Sequence, residues 1–343
     1  MTVEEMDRRR FLSLGAGMAG AIALGAGLAG CSSSSKSGSA ASSTSAAQTS
    51  SAAQSSAASA APSSAGSSAS AALAGYQKDG LKLVYITNPP FSYADPKSGE
   101  IIGAGPVVLR ELLKPYGITK FSYSLVQFAG EIPAVSSKRA DMTANNFNAN
   151  ADRCAQVGFT NPVALYHQGA LVHKGNPKNL HSYDDIAKDS SVKIAILRGD
   201  ASIAWLQSYG VGTNRLLQFD ALPQAVTAVN QGRADVYLNA TVSLNQELKQ
   251  PEASNLEVAN PFKGPVINGK ELITNASYAI RYEEVDLLNA LNEQIAALIN
   301  NGRMLELLTP YGYDKDSIPP ATMTAKSICP AAPWPAGYKD LSS

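Results

Sequence analysis

The residue types that most often carry catalysis or metal binding are few and widely spaced in this chain. Its three histidines are His167, His173 and His181, and no two of them stand four positions apart. Paired histidines or cysteines at helical or turn spacing are what a zinc-type site needs, so the sequence predicts no metal site. The G-x-S-x-G turn of a serine hydrolase is also absent. We expect a protein that is not an enzyme and that carries no cofactor.

One stretch nearly copies a phosphate-binding loop. GPVINGKE, residues 264–271, has the two glycines and the lysine of G-x-x-x-x-G-K-[ST] at the required spacing. Glu271 stands where a Ser or Thr must meet magnesium, and Pro265 removes one amide donor from the loop. We therefore interpret this stretch as a turn.

The glycines of residues 15–20 have the spacing G-x-G-x-x-G, which occurs in dinucleotide-binding turns. That function needs a strand before the glycines and an acidic residue about twenty positions after them, to reach a ribose hydroxyl. Here a basic cluster, residues 8–10, precedes the glycines, and no Asp or Glu occurs between residues 7 and 79. The sequence does not support a nucleotide site.

The first 31 residues are instead typical of an export signal: a charged head, an apolar run too short for a stable membrane span, and small residues at a processing point. The arginines of DRRRFLS resemble the twin-arginine signal, and LAGC, residues 28–31, resembles a bacterial lipobox. We expect Cys31 to become the lipidated first residue of an exported chain, which that lipid anchors to the outer face of the cytoplasmic membrane. An uncleaved anchor helix is the alternative.

Composition indicates which part of the remaining chain can fold and which partners it can bind. Residues 32–74 are mostly Ser and Ala with one charge, Lys36, so they are predicted to form a disordered linker. As a flexible coil it would hold the folded part about 35 Å from its anchor. The whole chain has 28 basic and 28 acidic residues, which gives no electrostatic reason to expect nucleic acid as a partner.

With Cys31 assigned to the lipobox, Cys154 and Cys329 remain as an even pair. In an exported chain such a pair favours a disulfide. We expect these two residues to be bonded, and two unrelated buried thiols are the alternative.

From about residue 76 onward, apolar strands alternate with amphipathic helices. In a first unit the predicted strands are 81–87, 121–128 and one from Asp141, with helices from Pro106 and over 132–138. A second unit, from about Gly175, has predicted strands 192–199, 215–219 and 234–239 with helices 202–209 and 222–231. Such alternation predicts a mostly parallel sheet flanked by helices in each unit.

The chain then returns through residues 277–282 and ends with an amphipathic helix over 284–300. We predict an α/β protein of two lobes joined by two crossing segments, with the ligand in the cleft beyond the carboxyl ends of the strands. The expected division is export signal 1–31, linker 32–74, first part of lobe one 75–174, lobe two 175–274, return to lobe one 275–330 and tail 331–343.

Four motifs in the ordered part resemble the family 3 extracellular solute-binding proteins of ABC importers. They are PPFSY (89–93), FAGEIPAV (128–135), NADRCAQVGFTNP (150–162) and GRADVYLN (232–239). The resemblance covers about residues 81–329 and implies the two-lobed, type II periplasmic-binding-protein-like fold. Within that family, residues 173–187 and the placement of the two cysteines are most similar to the ectoine and hydroxyectoine binders.

The resemblance implies a ligand site built from both lobes. Arg153 matches the arginine that clamps a ligand carboxylate, and a guanidinium can do this through two charge-assisted hydrogen bonds. A surface ion pair with Asp152 or a neighbouring acid is the alternative for this arginine. Phe91 and Phe128 match the aromatic walls that stack on a delocalised cation, with plain core packing as their alternative. Asn148 falls at a further lobe-one contact, and Phe147 is its neighbour.

Lobe two is expected to close on the ligand with the turn of residues 199–202, whose backbone amides can meet a carboxylate. Three positions depart from the family pattern. Asp200 replaces a hydroxyl residue and favours a cation, Asn239 stands where many amino-acid binders hold an ammonium with an acid, and Asn88 stands near where ectoine binders carry an acid. The predicted ligand-binding set is Arg153, Phe91, Phe128, Phe147, Asn148, Asn88, Asp200, Ser202 and Asn239.

The implied function is capture of a small zwitterionic solute, such as ectoine or hydroxyectoine, by lobe closure and delivery to an ABC permease, with the protein as a monomer. A polar amino-acid binder of the same family and a tethered ligand sensor are the alternatives, and the sequence alone does not separate import from sensing.

Overall fold

A computed structural model describes residues 73–341, which fall within a single compact unit. The predicted export signal with Cys31, and the predicted linker up to residue 72, lie outside the described residues. The folded part starts slightly earlier than predicted. Leu73 is buried in the core and a helix begins at Ala74, although both positions were expected to belong to the linker.

The described chain alternates between strands and helices. The strands are β1 (Leu81–Tyr85), β2 (Tyr93–Ala94), β3 (Ile101–Ile102), β4 (Phe121–Leu125), β5 (Met142–Thr143), β6 (Gly158–Phe159), β7 (Ala164–Tyr166), β8 (Gln168–His173), β9 (Ile194–Leu197), β10 (Leu216–Phe219), β11 (Val236–Ala240), β12 (Leu256–Val258), β13 (Val266–Ile267), β14 (Lys270–Glu271), β15 (Thr274–Ala276) and β16 (Ala279–Ile280). The α-helices are α1 (Ala74–Asp79), α2 (Ala104–Leu113), α3 (Glu131–Ser136), α4 (Ala151–Cys154), α5 (Tyr183–Lys188), α6 (Ser202–Ser208), α7 (Leu222–Asn230), α8 (Thr241–Glu247), α9 (Val285–Asn300), α10 (Arg303–Leu308) and α11 (Ala325–Ile328).

Two five-stranded sheets with the same pattern form the two lobes. The lobe-one sheet has the order β4-β1-β5-β16-β6, and the lobe-two sheet has the order β10-β9-β11-β8-β12. In each sheet the fourth strand, β16 or β8, pairs antiparallel with both neighbours, and the other four strands run in one direction. The two-lobed, mostly parallel α/β architecture predicted from the sequence is confirmed.

The boundary predicted between the lobes is wrong by several residues. Lobe two was expected to begin at residue 175, but β8 already belongs to its sheet, because it pairs with β11 and β12. Before it, β7 pairs antiparallel with β15, with Leu165 opposite Asn275. This two-stranded ladder consists of the two segments that cross between the lobes, so lobe two spans about residues 167–273.

The predicted helices are present, and their apolar faces lie in the core. Val108, Leu109, Leu112 and Leu113 of α2 are all buried against the lobe-one sheet, together with the apolar stripe of α9. A second cluster covers the other face of that sheet, and two more clusters cover the two faces of the lobe-two sheet. Burial on both faces explains why the central strands read as continuous apolar runs.

The stretch that resembled a phosphate loop is a turn, as predicted. β13 and β14 pair as a hairpin, with Val266 opposite Glu271, and the two connecting residues Asn268 and Gly269 both have positive φ. Asn-Gly is a frequent sequence for such a two-residue hairpin turn.

The C-terminal segment lies on lobe one. Cys154 of α4 and Cys329 form a disulfide with an S–S distance of 2.08 Å. The Trp334 indole donates to the carbonyl of Cys329 at 2.9 Å and stacks on Tyr338 with ring centroids 4.3 Å apart. The segment predicted as a tail therefore packs against the lobe that carries α4, and the disulfide ties both together.

Candidate ligand-binding site

A small cavity lies between the lobes. Its walls come from the carboxyl ends of β1 and β5 in lobe one, from the turns after β9 and β11 in lobe two, and from the crossing between β7 and β8. This is where an α/β sheet offers a ligand site, because loops at the carboxyl ends of the strands can vary without disturbing the sheet.

Eight of the nine residues predicted to bind ligand line this cavity. They are Asn88, Phe91, Phe128, Phe147, Asn148, Arg153, Asp200 and Asn239.

Ser202 does not line the cavity, and its predicted role is therefore corrected. Its side chain is fully buried and lies near the hydroxyl of Tyr183 in the lobe-two core. Its backbone N–H, which was expected to be offered to a ligand carboxylate, donates to the Asp200 carboxylate at 2.7 Å. Asp200 thus caps the first turn of α6 with its own side chain.

Arg153 lines the cavity and is held by hydrogen bonds from its backbone and its side chain. Its backbone N–H donates to the Asn150 side chain at 3.0 Å, which caps α4. The residue is 8% exposed, and its guanidinium donates through Nη1 to the Asn148 carbonyl at 2.8 Å and through Nη2 to the Gly199 carbonyl at 3.0 Å. The second bond crosses from lobe one to lobe two.

Within residues 73–341, no carboxylate lies at ion-pair distance from Arg153, so the alternative of a surface pair with Asp152 is wrong. Burial lowers the pKa of the Arg153 guanidinium, and the charge of Asp200 is the largest effect in the opposite direction. A guanidinium has five N–H donors, of which two are used here. The remaining donors can serve a ligand carboxylate.

The aromatic residues form two pairs. Phe128 and Phe147 stack at 5.1 Å between ring centroids, and the Arg153 guanidinium carbon lies 5.5 Å and 5.1 Å from those two centroids. Phe91 meets Tyr166 edge to face at 5.5 Å. Phe128 and Phe147 therefore contact the Arg153 guanidinium through their rings. The sequence had predicted contacts of these rings with a ligand and not with Arg153.

Lobe two closes the cavity with a tight turn. Gly199 has φ of +80°, a conformation that side-chain-bearing residues rarely adopt, and a β-carbon added to it would lie 3.4 Å from Cβ of Ala129 in lobe one. Asp200, next to it, lines the cavity, as does Tyr166 of β7. Burial raises the pKa of the Tyr166 hydroxyl, and the Asp200 charge raises it further, so this hydroxyl stays protonated.

Asn239 is engaged within its own strand. Its Nδ2 donates to the Tyr237 hydroxyl at 2.7 Å, and its Oδ1 accepts from the Ala240 backbone at 2.8 Å. Asn88 also has a protein partner, because the Ser243 hydroxyl of α8 donates to its Oδ1 at 2.6 Å. Like the bond from Arg153 to Gly199, this contact joins the lobes, which touch on both sides of the cavity.

Several lining residues were missed by the sequence reasoning. They are Asn145, Asn146, Tyr166, Gln168, Trp205 and Ala240, whereas Ala201 was expected as part of the turn of residues 199–202. Asn145 and Asn146 follow β5 directly, and a polar run at the carboxyl end of a buried strand is a signal that could have found them. Trp205 lies one turn along α6 from Ala201, so helical spacing from the predicted turn could have found it. Tyr166 and Gln168 depend on the crossing, whose position was misplaced.

Two further findings concern the described residues only. Among residues 73–341, no group of three or more His, Cys, Asp and Glu side chains is placed to hold a metal ion. None of the helices in that range combines the length and the apolar character that crossing a membrane requires.

The chain matches the bacterial extracellular solute-binding proteins, family 3, over residues 82–314. A relative from Sinorhizobium fredii, described as a probable amino-acid ABC transporter periplasmic-binding protein, is 34% identical over 243 residues, which are 70% of this chain and 79% of the relative. The L-cystine-binding protein TcyJ of Escherichia coli strain K12 is 26% identical over 221 residues, 64% of this chain and 77% of that protein. The crystal structure of EhuB in complex with hydroxyectoine is similar with a TM-score of 0.67 and 26% identity, covering 76% of this chain and 98% of that one. The chain belongs to the bacterial extracellular solute-binding proteins of family 3, which serve ABC transporters as binding proteins and not as enzymes.

Proposed function

We propose that this protein captures a small zwitterionic solute of the ectoine and hydroxyectoine class between its lobes and delivers it to an ABC permease. The observation that carries the proposal is the charge of the cavity. Among the described residues that line it, the charged side chains are Arg153 and Asp200, which have opposite signs. A zwitterion gives a partner both to the buried Arg153 and to the half-buried Asp200, whereas a ligand with one charge leaves one of them unpaired.

The arrangement around each charge supports a carboxylate next to Arg153 and a delocalised cation elsewhere. Arg153 keeps unused N–H donors and is held on the stacked rings of Phe128 and Phe147. At the end of β11 there is an amide, Asn239, already bonded to Tyr237, and not an acid that could hold an α-ammonium group. A ring cation such as that of ectoine needs no such acid. The similarity to EhuB in complex with hydroxyectoine supports the same class.

Lobe closure is the proposed capture step. The bonds from Arg153 to Gly199 and from Ser243 to Asn88 join the lobes and would break if the lobes separated. A ligand that bonds both lobes at once binds the closed form better than the open form, so it shifts the population toward closure. The permease would then recognise the closed shape.

The proposal includes the location of the protein. We propose export through the twin-arginine route, lipidation at Cys31, and a monomeric folded part carried on the linker at the outer face of the cytoplasmic membrane. The similarity of the sequence around Cys31 to a lipobox supports this.

A polar amino acid is the second candidate ligand. It is favoured by the relatives, one described as amino-acid-binding and one as L-cystine-binding. It is also favoured by a groove that continues outward from the cavity past Arg153 and Trp205 to Gln156 and Gln207, and that gives room for a longer side chain. A tethered sensor could capture the same ligand without importing it. Measuring the uptake of labelled solute by cells with and without the gene separates the two roles, because only an importer changes the uptake.

A thermal-shift screen of the purified protein tests the ligand class. Ectoine and hydroxyectoine are expected to raise the melting temperature, because a ligand at 100 times its Kd stabilises the folded state by about 2.7 kcal/mol. Betaine, L-glutamine, L-arginine and L-cystine at equal concentration are the comparison. A shift with amino acids alone would favour the second candidate, and no shift with any zwitterion would refute the proposed function.

A further inference from the structure

One carboxyl group is buried behind the wall of the cavity and belongs to no ion pair among the described residues. Glu131, the first residue of α3, is fully buried. Its Oε2 accepts a hydrogen bond from Nδ2 of Asn145 at 3.3 Å, and its Oε1 has no partner in residues 73–341.

The cavity wall in front of Glu131 also carries unpartnered polar atoms. Asn145 and Asn146 line the cavity and are 2% and 8% exposed. Oδ1 of Asn145 and both amide atoms of Asn146 form no hydrogen bond within the described residues. The Tyr278 hydroxyl lies near Asn146 but donates to the Gly105 carbonyl at 2.6 Å. Buried polar groups normally have partners, so three such atoms side by side at a cavity indicate a ligand contact.

The hydrogen bond that Asn145 already forms determines which of its atoms remains free for a ligand. Nδ2 of Asn145 donates to Oε2 of Glu131, so the NH₂ group of Asn145 faces the carboxyl group and its oxygen, Oδ1, has no partner among the described residues. That oxygen, on a residue that lines the cavity, then accepts a bond from whatever occupies the cavity. An amide oxygen backed by a buried carboxylate favours a group that donates N–H bonds and carries positive charge.

We propose that Asn145 and Asn146 form the subsite for the cationic nitrogen group of the ligand, an ammonium or amidinium, and that Glu131 acts as a positioning residue that orients Asn145 and balances the ligand's charge. This inference rests on the proposed function, since it assigns the cationic half of the zwitterion to lobe one. Arg153 then holds the carboxylate, and Asp200 meets the cation from lobe two on closure.

The backbone that carries this subsite is held in place by a close contact. A β-carbon added to Gly105 of α2 would overlap the Ala144 carbonyl oxygen and come within 2.9 Å of the Asn145 α-carbon. Helix α2 therefore lies directly against the segment after β5, and only glycine permits this approach. A subsite fixed before the ligand arrives loses less entropy on binding.

The charge of Glu131 is coupled to occupancy of the subsite. Burial raises the pKa of the Glu131 carboxyl well above its usual range, while the bond from Asn145 and the charge of Arg153, the groups that face it from the segment after β5 and from α4, lower it by less. Without a ligand, burial therefore favours the protonated carboxyl. A cation placed against Asn145 adds positive charge nearby and lowers this pKa, so binding favours release of a proton.

Calorimetric titration with hydroxyectoine at pH 7, in phosphate and in Tris buffer, tests this inference. For the wild-type protein the binding enthalpy is expected to differ between the two buffers in the direction that proton release gives. Glu131→Gln, which keeps the shape of the side chain, is expected to abolish that difference and to weaken binding at least tenfold. Asn146→Ala is expected to weaken binding at least tenfold while it keeps the proton release. The control is Glu247→Gln, another buried glutamate that does not line the cavity, and this variant is expected to keep the wild-type affinity for hydroxyectoine and the wild-type difference between buffers.

The outcomes separate this inference from the proposed function. If hydroxyectoine binds the wild-type protein but Glu131→Gln binds it equally well with the same proton release, the subsite is refuted and the ligand class stands. If hydroxyectoine does not bind but L-arginine does, the proposed ligand class is refuted, and the same variants with L-arginine decide the subsite. If Glu131→Gln does not fold, the Asn146→Ala variant tests the subsite instead. An unchanged affinity of Asn146→Ala for hydroxyectoine then overturns the inference. If neither probe binds the wild-type protein, both proposals are overturned.

Discussion

Removing the Arg153 side chain is the most informative single substitution. In the structure this guanidinium donates two hydrogen bonds to backbone carbonyls, one of them on the other lobe, and keeps further donors for a ligand carboxylate. Hydrogen bonds to a charged group are worth about 1.5–3 kcal/mol each. Since each 1.4 kcal/mol is tenfold in affinity, loss of one such bond predicts roughly a 10- to 150-fold weaker Kd. Loss of the bond to Gly199 acts in the same direction, because it removes a contact that favours closure.

Isothermal titration with ectoine or hydroxyectoine measures the effect of Arg153→Ala. Arg153→Lys keeps the charge but not the planar fork, so its affinity should fall between those of wild type and alanine. The matched control is Arg233→Ala, because Arg233 also lies on a phenylalanine ring, 5.8 Å from the centroid of Phe219, but does not line the cavity. Unchanged affinity in Arg153→Ala, with the control also unchanged, would remove the carboxylate clamp from the mechanism.

Three further predictions concern the disulfide, pH and the anchor. Replacing Cys154 and Cys329 by Ser opens a loop of 175 residues, so the melting temperature should fall by the equivalent of up to about 5 kcal/mol, and an unchanged melting temperature would contradict a stabilising role. Burial, reinforced by the charge of Glu252, raises the pKa of Glu247 to about 7. The unfolded value is lower, about 4.3, so the contribution of Glu247 to stability is full below that pH and is lost as pH rises through 7. Glu247→Gln should therefore gain melting temperature relative to wild type between pH 5 and 8, and a constant difference would count against this. Cys31→Ala should move the protein from the membrane fraction to the soluble exported fraction, whereas retention on the membrane would exclude lipidation as the anchor.

The fold was largely predictable because its signals are local. The apolar face of α2 and the stripe of α9 have helical spacing, and the buried runs around Leu83 and Ile196 are bounded by turns. Strand β8 was misassigned for a non-local reason. Its buried residues suit either lobe, and only its pairing with β11 and β12 places it in lobe two.

The site also contains residues that local sequence motifs predict and residues that only non-local contacts bring to it. Positions in recognisable motifs, such as Arg153 and Phe128, lie at the cavity as predicted, although the contact between them was not foreseen. Ser202 was misplaced because Asp200 satisfies its backbone N–H locally, an arrangement that motif spacing does not reveal. The contact of Glu131 with Asn145 joins residues 14 positions apart on different elements, so neither residue attracted attention in the sequence.

A crystal structure of the protein with hydroxyectoine tests the central claim most directly, because it locates both charges of the ligand. The account predicts a closed form with the ligand carboxylate within hydrogen-bond distance of the Arg153 guanidinium and the ring nitrogens against Asn145 and Asn146. A ligand bound outside the cavity between the lobes, or one whose carboxylate points away from Arg153, would contradict it.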